Sequence, residues 1–348
     1  MPHQNTAIDL FAGAGGASEG LEQAGFDVIS ANEINPHASL TYKYNHPNTN
    51  LLEKDIRKLS ASELVSKGEV ALLFAGLPCQ GFSNAGKKKT NDKRNYLFKE
   101  VIRLTKSIRP RFVMIENVAG LLAERNKSIL ASIEMGLIGI GYTVSRKLFD
   151  TSELGVPQKR RRILILASQD GLALSEFRAS KKKKVSVKDA IGDLEFLDSG
   201  SSTEYMKLPR TRYQKQMREG QKELWNHQTS THSRKVSRRF SILKEGEVMR
   251  TALPRSRTKK IYAIKLKSKE PAPTLTTLPD DYIHYALPRS LTVREMARLQ
   301  SFRDSYVFLG PRTTGGKQRK TSCPQYTQVG NAVPPMFMKE VGTWLLSK

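Results

Sequence analysis

Cys79 has the strongest chemical potential of any side chain in this sequence, because cysteine is a good nucleophile near neutral pH. It belongs to the stretch 78–83, Pro-Cys-Gln-Gly-Phe-Ser, which follows an apolar run at 70–75 that predicts a buried strand. Ligands of parallel α/β sheets bind beyond the carboxyl ends of the strands, so a thiol there can attack a bound molecule. An isolated cysteine is more commonly a packing residue, but the glycine-flanked Pro-Cys-Gln loop favours a nucleophile.

A carboxyl group and two guanidinium groups are predicted near the same strand ends. Glu116 begins a Glu-Asn-Val segment after the next apolar strand, and Arg160 and Arg162 alternate at the start of a later one. A carboxyl group kept near neutrality in a closed site can donate a proton or a hydrogen bond. The alternating arginines can point the same way and hold an anion or support a thiolate. The plainer interpretation is that both arginines lie on the surface.

A glycine-rich segment at 9–16, Asp-Leu-Phe-Ala-Gly-Ala-Gly-Gly, predicts a strand that turns into a helix and gathers backbone N–H groups at one point. The dinucleotide pattern G-x-G-x-x-G requires glycine where this chain has Ser18, which argues against a nicotinamide cofactor. Glu33 closes the second strand and can accept ribose hydroxyls. Asp55 and Ile56 follow a third candidate strand and can hold an adenine. A tight turn alone would explain the glycines, but the whole set predicts a nucleoside cofactor.

The elements that must position these residues alternate between strands and helices. Apolar runs predict strands, separated by helix-length segments such as 17–24 and 97–107, at 7–12, 27–32, 71–75, 112–115, 143–148 and 162–167. This alternation predicts a doubly wound, mostly parallel α/β sheet. Further helices are predicted at 291–302, with a Thr292 cap and Glu295 three residues later, and at 335–346.

The charge balance predicts a polyanionic partner. The 348 residues carry 58 Lys and Arg against 33 Asp and Glu, a formal net charge of +25. Residues 181–260 hold 21 basic and 9 acidic side chains without apolar periodicity, which predicts a separate basic module rather than a solvated linker. Cys79 and Cys323 give neither a disulfide framework nor a metal cluster, as in a reducing cytosol. The sequence shows no signal peptide and no apolar run of membrane-spanning length.

Several ordered motifs carry a family resemblance over nearly the whole chain except about 185–270. They are the segments 9–16, 78–83, 116–118, 158–162 (Gln-Lys-Arg-Arg-Arg), 294–300 (Arg-Glu-Met-Ala-Arg-Leu-Gln) and 328–335 (Gln-Val-Gly-Asn-Ala-Val-Pro-Pro). With this set the chain resembles the DNA (cytosine-5)-methyltransferases. It departs from the family's usual pattern at Arg303, where proline is common, and in an extra polar loop at 313–322.

The resemblance implies a class I S-adenosylmethionine-dependent methyltransferase fold, with a second, smaller basic domain that recognises DNA. The implied cofactor is S-adenosyl-L-methionine. Its implied contacts are Phe11, Ala12, Gly13, Gly15, Gly16, Glu33, Ile34, Asp55, Ile56, Pro78, Leu97, Asn331 and Ala332.

The resemblance also implies how the reaction proceeds. The Cys79 thiolate adds to carbon 6 of cytosine, Glu116 assists at ring nitrogen 3, and Arg160 and Arg162 hold the base, a phosphate or the developing charge. The target base must be flipped out of the duplex, as in other enzymes that modify bases. Contacts with DNA are expected from Gln80, Ser83, Arg234, Arg238, Arg239, Arg257, Thr274 and Leu275.

The expected organisation is a catalytic and cofactor-binding domain at 1–180 completed by 325–348, a target-recognition domain at 181–290 and a connecting segment at 291–324. We expect a monomer in the bacterial cytosol, associated with the nucleoid, that acts on double-stranded DNA and has a cognate restriction endonuclease. Two alternatives remain open at this point. One is an RNA cytosine-5 methyltransferase that uses the same site, and the other is a DNA-binding protein with an inactive catalytic domain.

Overall fold

The computed structural model describes residues 5–65, 69–78, 96–179, 182–194, 203–253, 263–313 and 322–348. Four predicted site residues lie outside these ranges, namely Cys79, Gln80, Ser83 and Arg257.

The chain divides into two compact units. Unit 1 comprises Met1–Thr151, Arg161–Ser180 and Phe337–Lys348, and unit 2 comprises Ser152–Arg160 and Lys181–Met336. Compared with the expected organisation, residues 152–160, the expected connecting segment 291–324 and residues 325–336 all fall in unit 2, and the return to unit 1 begins at Phe337. The roles expected of these domains stay predictions.

Unit 1 is built on one seven-stranded sheet in the order β3-β2-β1-β4-β5-β7-β6. Its strands are β1 Thr6–Leu10, β2 Asp27–Asn32, β3 Asn50–Leu52, β4 Leu72–Gly76, β5 Phe112–Val118, β6 Thr143–Asp150 and β7 Arg161–Ser168. The first five run parallel to one another, whereas β7 is antiparallel to both β5 and β6. The predicted mostly parallel sheet is confirmed, and the third candidate strand that precedes Asp55 is the short β3.

Helices flank this sheet, whose central strands are buried. They are α1 Gly16–Ala24, α2 Pro36–Asn45, α3 Ala61–Leu64, α4 Phe98–Ile108, α5 Lys127–Ile138 and, from Phe337 onward, most of α12 Pro335–Leu346. Every residue of β1 is buried, and within β4 and β5 only the last residue of each strand is partly exposed. Strands covered on both faces lose the alternation of polar and apolar residues, which explains the continuous apolar runs in the sequence.

The regular elements of unit 2 are mainly short helices. It contains α6 Val187–Ile191, α7 Arg212–Arg218, α8 Arg234–Ile242, α9 Met249–Ala252, α10 Val293–Leu299, α11 Gln325–Asn331 and a two-stranded sheet of β8 Ile264–Lys265 and β9 Tyr282–Ile283. The predicted cap of α10 is confirmed, because Thr292 and Glu295 form a reciprocal capping box. In the described part of the chain, no helix is both long and apolar enough to cross a membrane.

Candidate functional site

The glycine turn, residues 11–16, connects β1 to α1 through left-handed backbone conformations. The φ angles of Phe11, Gly13 and Gly15 are 57°, 58° and 88°. Gly15 is the N-cap of α1 and supplies no side-chain cap. The positive φ angle of Gly13 favours glycine at this position. A Cβ atom added to Gly13 would meet no atom within 4 Å, so the space in front of the turn is open. The segment therefore presents a helix N-terminus and backbone to a ligand.

Glu33 connects the glycine turn to the end of β2. Its Oε2 accepts a hydrogen bond from the Gly13 amide at 2.8 Å, and its Oε1 accepts from the amides of Ile34 and Asn35 at 2.8 and 2.6 Å. Burial raises the pKa of this carboxyl group, whereas the backbone hydrogen bonds lower it. A carboxylate accepts about four hydrogen bonds, so these three leave room for a further donor such as a ribose hydroxyl.

Asp55 lies on the loop after β3. The Asn32 side-chain amide ties this loop to β2 by donating to the carbonyls of Leu52 and Lys54, both at 2.8 Å. Hydrogen bonds from Arg57 lower the pKa of the Asp55 carboxyl to about 2, so Asp55 is a partly exposed carboxylate at neutral pH.

The two isoleucines expected at the cofactor differ in exposure. Ile34 is 65% exposed, whereas the Ile56 side chain is 4% exposed and packs in the main hydrophobic core of unit 1. Pro78 and Leu97 are both half-buried, and Leu97 packs against the same core. The sequence-based contacts of these residues with the cofactor stay predictions.

The end of β4, three residues before Cys79 in the sequence, lies beside Glu116. Gly76, the last residue of β4, pairs in register with Glu116 on β5, and the described chain continues to Pro78. Because β7 is antiparallel to β5, the start of β7 lies at the same edge of the sheet as the end of β5. Nε of Arg162, near the start of β7, lies 2.7 Å from Oε1 of Glu116, with both side chains about nine-tenths buried.

A guanidinium group contacts the Glu116 carboxyl directly. The expected role of Glu116 as a proton or hydrogen-bond donor stays a prediction. The pair fixes the carboxyl group by charge and hydrogen bonding.

Arg160 does not share the surroundings of Arg162. It precedes β7, belongs to unit 2 and is 3% exposed. Its guanidinium donates to the carbonyls of Leu275, Gly330 and Ala332 at 3.2, 3.0 and 3.2 Å. The sequence predicted both arginines at the start of one strand, whereas β7 begins at Arg161, one residue after Arg160. A role for Arg160 in catalysis stays a prediction.

Buried amides join the later motifs within unit 2. The Gln158 side chain donates to Oε1 of Gln300 at 2.9 Å and accepts from the Leu275 amide at 2.8 Å. Gln300 in turn donates to the Val329 carbonyl at 2.8 Å. The motifs at 158–162, 294–300 and 328–335 thus meet in one hydrogen-bonded network. Asn331 is exposed at the end of α11, where the chain continues to the half-buried Ala332.

The five described residues among those expected to contact DNA occupy two places in unit 2. Arg234 and Arg238 are exposed on α8 and Arg239 is partly exposed, while Phe240 anchors that helix in a small core. Elsewhere, the exposed Thr274 donates to the Lys159 carbonyl at 2.8 Å, and the Leu275 side chain is buried.

Comparisons with known proteins agree with this architecture. The C-5 cytosine-specific DNA methylase family matches residues 5–347. The type II methyltransferase M.DdeI of Desulfomicrobium norvegicum is 35% identical over 95% of this chain and 86% of its own length. The type II methyltransferase M1.HphI of Haemophilus parahaemolyticus is 34% identical over 98% and 86%. A solved prophage-encoded protein from E. coli, described as a candidate DNA modification methyltransferase, has a TM-score of 0.82 and 26% identity, covering 99% of this chain and 100% of its own.

The chain belongs to the C-5 cytosine-specific DNA methylase family. It is a DNA (cytosine-5)-methyltransferase that uses S-adenosyl-L-methionine as methyl donor. The predicted fold, activity and cofactor are thereby confirmed, and the alternative of an inactive DNA-binding protein is set aside.

Proposed function

We propose that this enzyme methylates carbon 5 of a cytosine within one specific duplex sequence, through a covalent adduct with Cys79 and with the target base flipped out. The observation that carries the proposal is the buried Glu116–Arg162 pair at the sheet edge where β4 leads toward Cys79. A carboxyl group held at that edge suits an acid or hydrogen-bond donor that acts on the ring of a base.

The glycine turn and Glu33 suit the cofactor, which supplies an electrophilic methyl group from its sulfonium. Open space at Gly13, the N-terminus of α1 and the acceptor capacity of Glu33 all support this assignment. Carboxylates in this position hold the ribose of nucleotide cofactors.

On the protein side, the Cys79 thiolate adds to carbon 6, and the electron pair displaced from the ring's double bond is stabilised through hydrogen bonding or protonation by Glu116 at nitrogen 3. After carbon 5 is methylated, a base takes its proton. The electrons of that carbon–hydrogen bond restore the double bond as Cys79 leaves as a thiolate. The sequence identifies no side chain that acts as this base, so we assign the role to water.

The basic residues of unit 2 suit the recognition of duplex DNA. The cost of flipping a base, a few kcal/mol, can be offset by phosphate contacts from cations such as those on α8. The bacterial relatives named as type II methyltransferases support a role as the modification enzyme of a restriction-modification system.

Expression in a methylation-deficient bacterium followed by bisulfite sequencing tests the proposal. We expect 5-methylcytosine at one position of one recurring sequence. Methylation scattered without a common sequence would overturn the specificity. Methyl transfer to transfer RNA but not to duplex DNA would overturn the substrate.

A further inference from the structure

A buried chain of hydroxyl and carboxyl groups connects β1, α1 and α2 around the glycine turn. Ser18, on α1, donates to Oδ2 of Asp9, on β1, at 2.6 Å, and the oxygens of Ser18 and Tyr42 lie 2.7 Å apart. All three residues are fully buried. When Asp9 is ionised, Ser18 gives its one hydroxyl proton to Asp9, so the Tyr42 hydroxyl donates to Ser18. The donors therefore all point toward Asp9.

The three hydrogen-bonded side chains contact the glycine turn at both of its ends and from one side. Asp9 lies two residues before Phe11 and Ser18 two residues after Gly16, so their hydrogen bond closes the turn at its base. The Tyr42 ring packs in a small hydrophobic cluster with Ala12, inside the turn, and with Ala31 on β2. Tyr42 also lies on the helix that begins just after Glu33, whose carboxylate accepts from the Gly13 amide.

We propose that Ser18 and Tyr42 are positioning residues for cofactor binding, which hold the glycine turn in its binding geometry through their hydrogen-bonded chain to Asp9. The inference rests on the proposed assignment of the cofactor to this turn. It also gives a use to Ser18, the residue that breaks the dinucleotide pattern, because glycine there could not bond Asp9.

With this hydrogen-bonded chain of Ser18, Tyr42 and Asp9, cofactor binding should depend on pH. Burial raises the pKa of Asp9 to about 7, and one of its oxygens, Oδ1, has no hydrogen-bond partner among the described residues. The charged or titratable groups that act on Asp9 are His46, at the end of α2, and Glu33, together with the Ser18 and Tyr42 hydroxyls. Its register neighbours on β2 and β4, Ala31 and Phe74, do not titrate.

The direction of this dependence follows from charge. S-Adenosyl-L-methionine carries a sulfonium, an ammonium and a carboxylate group and thus a net positive charge, so an ionised Asp9 favours its binding. Its affinity should therefore rise as pH increases through about 7. S-Adenosylhomocysteine lacks the sulfonium charge and should show a smaller dependence.

Tyr42→Phe is the first test, because it keeps the ring against Ala12 and removes one hydroxyl. Tyr142→Phe is the matched control, since that buried hydroxyl donates to the Pro110 carbonyl at 2.6 Å elsewhere in unit 1. Calorimetric titration of the full chain should show the Kd for S-adenosyl-L-methionine raised roughly 2- to 10-fold by Tyr42→Phe, as expected for removal of one hydrogen bond. Tyr142→Phe should leave it unchanged. The melting temperatures of the two variants show whether both are folded. An unchanged Kd in folded Tyr42→Phe would overturn the inference.

Ser18→Ala decides the question should Tyr42→Phe fail to fold. Its control is Ser168→Ala, a fully buried serine that donates to the Leu172 carbonyl at 2.9 Å. Because Ser18 bonds a carboxylate, we expect a loss of cofactor affinity on the order of 10-fold or more. The midpoint of the pH profile should rise, since that hydrogen bond lowers the pKa of Asp9. Asp9→Asn should flatten the profile.

Glu33→Ala separates this inference from the site assignment. Wild-type binding that survives Glu33→Ala would refute the proposed cofactor site itself. If Glu33→Ala weakens cofactor binding but Ser18→Ala keeps the wild-type Kd and pH profile, the positioning role of Ser18 and Tyr42 alone is overturned.

Discussion

Nε of Arg162 contacts Oε1 of Glu116 at 2.7 Å across two antiparallel strands. The contact is diagonal, because Arg162 pairs in register with Val118, two residues after Glu116. Both side chains are nearly buried, so neither charge is well solvated without the other. Removing one partner of such a pair is costly because it leaves an uncompensated charge. The pair therefore couples the position of the carboxyl group to an arginine that lies far away in the sequence.

Glu116→Gln should reduce turnover by about 10²- to 10⁴-fold, the range for removal of acid–base assistance. Affinity for DNA should change little, because the amide has nearly the same size. Single-turnover methylation of duplex DNA measures the effect, with Glu134→Gln as control, since Glu134 forms an exposed pair with Arg146 on β6. A near-normal rate in Glu116→Gln would move this role to another group.

A double-mutant cycle with Arg162→Gln shows whether Arg162 acts through Glu116. If it does, the combined variant should be no slower than the slower single variant, since coupled residues are not additive. Additive effects would instead indicate an independent contact of Arg162 with substrate.

Cys79→Ser should abolish methylation while cofactor and DNA binding persist, because a hydroxyl is far less nucleophilic than a thiolate. Cys323→Ser, the change at the other cysteine of the chain, should retain turnover. Methyl incorporation and filter binding on the same preparations distinguish loss of chemistry from loss of binding. Substantial turnover in Cys79→Ser would refute the choice of nucleophile.

DNA with 5-fluorocytosine at the target position should trap the enzyme. The methyl group is accepted, but fluorine cannot depart as a cation, so the thiol cannot be eliminated. We expect a protein–DNA adduct that survives denaturation, requires S-adenosyl-L-methionine and maps by peptide mass to Cys79. A crosslink at Cys323 would refute the choice of thiol, and no crosslink on a sequence that is otherwise methylated would refute the covalent mechanism.

Neutralising Arg238 and Arg239 on α8 together should weaken binding to cognate and unrelated duplexes alike. The slope of log affinity against log salt should flatten by roughly one for each phosphate that the protein no longer neutralises. Lys106→Gln with Arg109→Gln is a control of equal charge, because these exposed residues lie at the end of α4, which leads to the amino edge of the sheet. An effect confined to cognate DNA would instead make the α8 arginines base readers.

His227 should make the protein sensitive to mild acid. Burial lowers the pKa of this histidine to about 4, and its Nδ1 lies 2.9 Å from the Thr292 hydroxyl. The unfolded chain therefore binds this proton first, so stability present above about pH 6.5 is lost as the pH falls toward 4. At 1.36 kcal/mol per pKa unit the loss is on the order of 3 kcal/mol. Denaturant titrations of His227→Gln should show a shallower decline between pH 6.5 and 4, and an unchanged decline would contradict the assignment.

The sequence predicted the elements whose signals are local. The strand at 27–32 and the helix at 335–346 have the expected bounds, and the other five predicted strands differ by no more than three residues at either end. The Thr292–Glu295 capping box was also predictable, because both partners lie within one turn of helix. Apolar periodicity and caps are properties of short segments, so a single sequence is sufficient to find them.

The partners of the site residues depend on distant parts of the chain and could not be predicted in this way. The Glu116–Arg162 pair requires that β7 be antiparallel, and Arg160 contacts carbonyls more than one hundred residues away. Tyr42 has no local signal that connects it to Ser18. A motif shows that a residue matters, but burial and partners separate an arginine that pairs with a carboxylate from one that donates to backbone carbonyls.

The path of the chain through unit 2 sets a rule for exchanging recognition regions between relatives. Unit 2 includes Ser152–Arg160, a short segment between β6 and β7, in addition to Lys181–Met336. Gln158 from that segment contacts both Leu275 and Gln300, so a graft of the later residues alone would pair a host glutamine with foreign partners. Chimaeras should therefore transplant both pieces, and a graft joined only at residues 181 and 336 should misfold more often than one that also carries 152–160.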